Sequence, residues 1–169
     1  LVEKINAYIV AKETPLNLEI VKVKEITKAI KTECSERLKK RNIKWIEPDS
    51  LPEIIADRLA VSRVFRNLVD NALNYGGASL REIKIGYEES DASHIFSFSD
   101  DGVGIKGKDR EKIFEVFHRD ETSKGVAGSG LGLAIVKEIV ERHNGSVCLA
   151  DDTKKGATFR ISIAKLQKS

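Results

Sequence analysis

The hydrophobic positions of this chain switch repeatedly between a period near two and a period near 3.6, and each switch predicts an element boundary. Residues 1–13 mix apolar and charged positions and read as the last turns of a helix, closed by Pro15. Leu16 to Val23 then sets Leu16, Leu18 and Ile20, with Val21 or Val23, among polar residues and predicts a strand. From Lys24 to Arg41 the positions Ile26, Ala29, Ile30, Cys34 and Leu38 carry helical spacing, with Asn42 as terminator. Short strands are predicted at Ile43 to Ile46 and at Ile54 to Ala56, on either side of a loop bracketed by Pro48 and Pro52. Asp57 caps the next helix, Arg58 to Tyr75. Its broad apolar face is Leu59, Val61, Val64, Phe65, Leu68, Val69, Ala72 and Leu73, and Gly76-Gly77 stops it.

Strict alternation returns at Glu82 to Glu88, through Ile83, Ile85 and Tyr87, and again at Ile95, Phe96 and Phe98, with Asp91-Ala92-Ser93 as the hairpin turn. Asp100 to Lys108 reads as loop and Asp109 to Phe117 as a short helix; Arg119 to Gly128 is polar and aperiodic, a candidate mobile lid. Gly128-Ser129-Gly130-Leu131-Gly132-Leu133 runs straight into a helical pattern over Ala134 to His143, with Leu131, Ile135 and Ile139 on the apolar face beside Val136 and Val140. Ser146 to Ala150 and Ala157 to Ile163 complete a strand pair about a turn at 151–156. Interspersed helices with neighbouring strands predict an α+β class: a two-layer sandwich, mostly antiparallel sheet, helices on one face.

Composition narrows the function classes. A chain of 169 residues fits one domain, and 29 basic against 26 acidic residues leave a net charge of only +3, which argues against a nucleic-acid partner. No apolar run approaches the ~20 residues of a membrane span and no signal-peptide pattern opens the chain, so this stretch is expected to make no membrane contact. The two cysteines, Cys34 and Cys148, have no metal-ligand spacing with the histidines and fit a reduced, cytoplasmic setting. The chain starts at Leu1 and contains no methionine, so it reads as a piece of a longer protein, which itself could be membrane-anchored.

Two features bear on chemistry. The glycine-dense loop at 128–132 enters a helix, whose free N–H groups and dipole suit an anion. On the helix Arg58 to Tyr75, Asn67, Asn71 and Asn74 recur at i, i+4 and i+7, so three amides share one stripe bordering the core. Amide oxygens are hard ligands suited to magnesium, which brings phosphates with it. A third feature, Gly102-Val103-Gly104-Ile105-Lys106-Gly107-Lys108, matches the dinucleotide-binding glycine pattern and misses a P-loop by having Asp109 after the lysine. Both readings fail on context: no hydroxyl awaits the magnesium ion, and a polar lid follows where another strand is needed.

Taken in order and spacing, the asparagine stripe, Asp100-Asp101-Gly102-Val103-Gly104-Ile105, Ile113-Phe114-Glu115-Val116-Phe117-His118-Arg119 and Gly128-Ser129-Gly130-Leu131-Gly132-Leu133 resemble the N, G1, F and G2 boxes of sensor histidine kinases. These belong to a wider nucleotide-binding family with gyrase, mismatch-repair ATPases and a class of chaperones. The resemblance covers roughly residues 15–165 and implies the Bergerat fold, an α/β sandwich holding ATP and Mg2+ beneath a mobile lid. It implies that Asn71 is the magnesium ligand. Asp100 would accept the adenine amino proton, supported by Thr158, with Tyr75 packing near the base and Asn74 at the third stripe position. Gly102, Gly104 and Ile105 would line the nucleotide from the second box, and Phe114 from the third, where it and Phe117 also pack as the hinge of the lid. Gly128, Gly130, Leu131, Gly132 and Leu133 would grip the phosphates, and Arg119 would reach the γ-phosphate.

Position 67 bears on the outcome. Hydrolysing relatives carry a glutamate there to activate water, whereas Asn67 cannot act as a general base, so catalysis by Asn67, Asn71 and Arg119 is expected to favour phosphoryl transfer over hydrolysis. Many sensor kinases have a lysine where this chain has Asn74, so the cationic clamp is thinner. The family's phosphoacceptor is a histidine followed by Glu or Asp, and His94, His118 and His143 lack that context. The resemblance therefore implies two units: 1–14 as the end of a dimerising phosphoacceptor helix or linker, and 15–169 as the catalytic ATP-binding domain. Its partners would be its own phosphoacceptor domain, as a homodimer in the full-length protein, and the receiver domain of a response regulator. The alternatives are a regulatory module that binds ATP without transfer, and an ATPase or serine kinase of the same fold.

Overall fold

Asp57 stands where a strand pattern meets a helix pattern, and it closes both. In the computed structural model, which describes residues 2–105, 110, 112–115, 131–150 and 155–165, it ends β3 (Glu53–Asp57) and caps α4 (Arg58–Tyr75). Its Oδ1 accepts from the Ala60 amide at 3.0 Å, satisfying one of the free N–H groups of the first turn. Its Oδ2 accepts from the Asn17 amide at 2.9 Å, and its own amide donates to His143 Nε2 at 3.1 Å. One residue thus joins the chain before β1 (Leu18–Lys22), the start of α4 and the end of α5 (Gly132–Arg142).

The remaining elements are α1 (Val2–Glu13), α2 (Val23–Glu33), α3 (Ser35–Lys40), β2 (Lys44–Ile46), β4 (Glu82–Glu89), β5 (Ser93–Asp100), β6 (Val147–Leu149) and β7 (Thr158–Ala164). A five-stranded sheet runs in the order β2-β4-β5-β7-β6, antiparallel throughout except that β2 is parallel to β4; β1 and β3 form a separate antiparallel pair. This is the expected mostly antiparallel sheet covered by helices, the Bergerat sandwich. Alternation decides which face is covered: Ile83, Ile85, Phe96, Phe98, Phe159, Ile161 and Ile163 are buried, while Lys84, Arg160 and Cys148 lie on the other side. Phe65 of α4 carries the helix layer onto this face, meeting Phe96 and Phe98 edge-on at centroid distances of 5.3 and 4.8 Å. No helix among the described residues is long and apolar enough to cross a membrane.

Both helices that end at an asparagine use the same device. Asn42 (φ 56°) follows α3, with the Ile43 amide donating to Leu38 O and the Asn42 amide to Lys39 O. Asn144 (φ 59°) follows α5 with the matching pair, Gly145 to Val140 O and Asn144 to Glu141 O. Each is a Schellman closure in which Asn takes the left-handed position.

Several local expectations shift. The helix expected over 24–41 divides at Cys34 into α2 and α3, although the Cys34 amide still donates to Ile30 O and the Leu38 amide to Cys34 O. Thr27, rather than Ala29, joins its buried face. In β1 the inward residue is Val21, paired with Ile54, so the adjacent pair Ile20 and Ile55 must point outward and is exposed. Leu59 is 77% exposed, because the first turn of α4 projects past the elements that cover the rest. Of the helix expected at 109–117, the described residues form a single turn closed by the Glu115 amide on Lys112 O. The expected lid at 119–128 lies outside the described residues.

Candidate functional site

The expected site residues fall at two places along α4, its C-terminal end and its middle. At its C-terminal end the loop after β5 packs onto the loop after α4: the Val103 amide donates to Gly76 O at 2.9 Å. A Cβ on Gly102 would overlap the Gly76 carbonyl and lie 2.6 Å from Gly76 Cα. Gly104 (φ 76°) is held equally closely, since a Cβ there would lie 2.8 Å from the Gly156 carbonyl oxygen. Protein backbone therefore occupies the space beside both glycines. Their absent side chains permit this loop packing, a reason that sequence spacing did not show.

That packing fixes two adjacent carboxylates in different roles. Asp101 Oδ1 accepts from the Arg81 and Glu82 amides at 2.8 and 2.9 Å, anchoring the start of β4. Burial works to raise its pKa, but those backbone donors prevail and hold the carboxyl below its usual range. Asp100 Oδ1 accepts from the Gly102 amide at 2.9 Å. Here burial prevails and pushes the carboxyl up, with the Gly102 and Ala157 amides opposing and Asp101 adding to the rise. A buried carboxylate held this way suits a ligand that donates a hydrogen bond to it. Thr158 lies one strand away, and its hydroxyl donates to Ser99 Oγ at 3.0 Å rather than to Asp100.

Beside the middle of α4 stands the start of α5. Its N-cap, Leu131, has no polar side chain and makes no capping bond to the first-turn amides. Gly132 opens the helix with its missing Cβ aimed at Asn67, 3.5 Å from Oδ1. The stripe then runs up α4 from Asn67 through Asn71, both half-buried, to exposed Asn74, with Tyr75 half-buried beside it. Leu131 is buried and Leu133 and Ile105 pack against the core, so any contact Leu131 makes with a ligand goes through backbone. Phe114 is half-buried and meets Phe159 edge-on at 6.1 Å, in keeping with its expected packing role. Arg119, Gly128, Gly130 and His118 lie outside the described residues.

One residue escaped the sequence reading. Arg37 of α3 donates from Nη2 to Asn74 Oδ1 at 2.9 Å and sits 3.4 Å from Asp70 Oδ1, while Arg41, one turn on, donates to Leu73 O and Gly77 O at the end of α4. The i, i+4 spacing of the two arginines was the available signal.

Residues 56–167 match the family of histidine kinase-, DNA gyrase B- and HSP90-like ATPases. This chain belongs to that family. The phytochrome-like protein Cph1 of Synechocystis sp. is 36% identical over 118 residues, covering 70% of this chain and 16% of that protein. The histidine protein kinase SaeS of Staphylococcus aureus is 30% identical over 154 residues, covering 88% of this chain and 44% of SaeS. The chain thus spans less than half the length of either relative. Among solved structures, the catalytic domain of histidine kinase ThkA superposes with a TM-score of 0.76 at 26% identity, covering 89% of this chain and 99% of that one. ThkA in complex with the response regulator TrrA gives 0.77 at 25% identity, covering 98% and 47%. Within the family, then, this is a catalytic ATP-binding domain of the histidine kinase type, as the four boxes implied.

The site also suits the divalent ion that accompanies a nucleoside triphosphate. Among the described residues no group of three His, Cys, Asp or Glu could cage a metal. What α4 offers instead is the amide oxygen of Asn71, a single hard ligand of the kind magnesium uses when phosphates and water complete its shell.

Proposed function

We propose that this domain binds Mg-ATP along α4 and presents the γ-phosphoryl group to a histidine on a preceding dimerising domain of the same protein, from which it passes to a receiver domain. The observation that carries this reading is Asn67, set beside the uncapped start of α5 where the terminal phosphates would lie. An amide there orients phosphate without taking a proton from water, so the phosphoryl group is preserved for a stronger nucleophile. Asp100 selects a base with an exocyclic N–H2, since an ionised carboxylate only accepts. Thr158, whose hydroxyl rests on Ser99 Oγ in the nucleotide-free domain, would turn to support that contact when nucleotide binds. Asn71 holds Mg2+, which when bound would neutralise phosphate charge, and the α5 amides stabilise the charge that remains. Tyr75 would close the site near the base, and the role of γ-phosphate ligand falls, by the resemblance of its box, to Arg119, which lies outside the described residues.

The receiver partner is supported by ThkA, which has been solved in complex with the response regulator TrrA. To test the reading, the full-length protein is incubated with γ-labelled ATP. The expected product is an acid-labile, alkali-stable phosphoprotein that is lost in Asn71→Ala. Sustained phosphate release by this fragment alone would favour an ATPase, and acid-stable label a serine kinase of the same fold.

A further inference from the structure

A nucleotide whose base sits at Asp100 and whose terminal phosphates sit at the α5 start must run along α4 between Gly76 and Asn67. Asn74 lies on that route, and it is exposed. A polyanion on that route needs positive charge, and Asp70, one turn before Asn74 and sharing Arg37 with it, works against it. Arg63 is on the same flank of α4, but 11 residues from Asn74, or ~16 Å along the helix axis. It therefore stands at the far end of the stripe.

The cation at the Asn74 end comes from a different helix. Arg37 reaches across from α3 and rests on Asn74 Oδ1 at 2.9 Å, with Asp70 at 3.4 Å. Both of these contacts are cheap to exchange. The guanidinium and the Asp70 carboxylate are each more than a third exposed, and an exposed ion pair of that length is worth little. A phosphate oxygen offers the planar fork a shorter, charge-assisted bond. Arg41 meanwhile fastens α3 to the carbonyls at the end of α4, so Arg37 is not needed to hold the two helices together.

We infer that Arg37 is a phosphate-binding residue, supplied to the stripe by the neighbouring helix α3, and that it provides the positive charge that Asn74 does not. This rests on the ATP-binding reading above. The test is a pair of titrations of the isolated domain, with Mg-ATP and with uncharged adenosine, followed by 1H–15N chemical shifts. Arg37→Ala is expected to weaken ATP about tenfold, the loss of one hydrogen bond to a charged group, and to leave adenosine unchanged. Asn74→Lys in the Arg37→Ala background is expected to restore most of the ATP affinity. The inference is overturned if Arg37→Ala leaves ATP binding intact, if it weakens ATP and adenosine by the same factor, or if the added lysine restores nothing. A wild-type domain that bound neither ligand would instead overturn the ATP-binding reading itself, before any variant was compared.

Discussion

The two ends of the site are built from different materials. At the base end, backbone packs on backbone: Gly102 lies on Gly76, Gly104 on Gly156, and Asp101 ties the β4 start in place. At the phosphate end, half-buried amides line an uncapped helix start, and between the two ends an exchangeable arginine rests on Asn74. Backbone contacts of this kind cannot relax without moving whole loops, whereas side chains at a surface change rotamer at little cost. The difference suits the two tasks. A base is read by fixed geometry, while the phosphates, which change on turnover, are met by groups that can follow them.

Two glycine substitutions set the comparison at its sharpest. Gly102→Ala forces a methyl group into the Gly76 backbone and is expected to destabilise by about 3 kcal/mol or more, measured by chemical denaturation. Gly132→Ala adds its methyl at ordinary contact distance from Asn67, in a helix, and is expected to shift stability by less than ~1 kcal/mol. Equal effects would break the distinction between the ends.

A smaller effect comes from Asp100. Its carboxyl titrates above the usual range because burial disfavours the charge, so the stability it contributes is present below the unfolded-state pKa and lost as pH rises through the folded value. Asp100→Asn is therefore expected to raise the melting temperature of the nucleotide-free domain at pH 7 while weakening ATP about tenfold or more. A melting temperature below wild type would mean that the charge is not a burden on the fold.

The smallest effect lies away from both ends, where α4 begins and α5 finishes. His143 is fully buried and neutral in arrangement, with Nε2 accepting from the Asp57 amide and Nδ1–H donating to Ile139 O at 2.8 Å. Burial lowers its pKa, outweighing the Ile139 carbonyl, so its contribution is present above the ordinary histidine value near 6.5 and is lost as pH falls through the folded value. Thermal melts from pH 8 to 5 are expected to show a decline beginning near pH 6.5 that His143→Gln reduces. Nucleotide affinity, referred to folded protein, should not follow that decline if the joint is separate from the site.

Much of this was legible beforehand, and the particulars say why. The ends of α4 at Arg58 and Tyr75 follow from a capping aspartate, an uninterrupted apolar face and a pair of glycines, all within one stretch of chain. The strands β4 and β5 follow from alternation. The phase of β1 did not, because Ile20 and Val21 are equally apolar and only the Val21–Ile54 pairing chooses between them. Leu59 misled for the same reason: periodicity reports a face, not whether anything covers it.

What the sequence determined by itself, then, was the succession of elements and the membership of the nucleotide-binding family, since periods, caps and ordered motifs are encoded in neighbouring residues. The tertiary structure alone decided that Gly102 serves the loop beside Gly76, that Asp100 and Asp101 diverge in acidity, that His143 meets Asp57, and that Arg37 comes to Asn74. These last two pairs are 86 and 37 residues apart. Contacts at such separations exist only once the layers have packed, and no local pattern carries them.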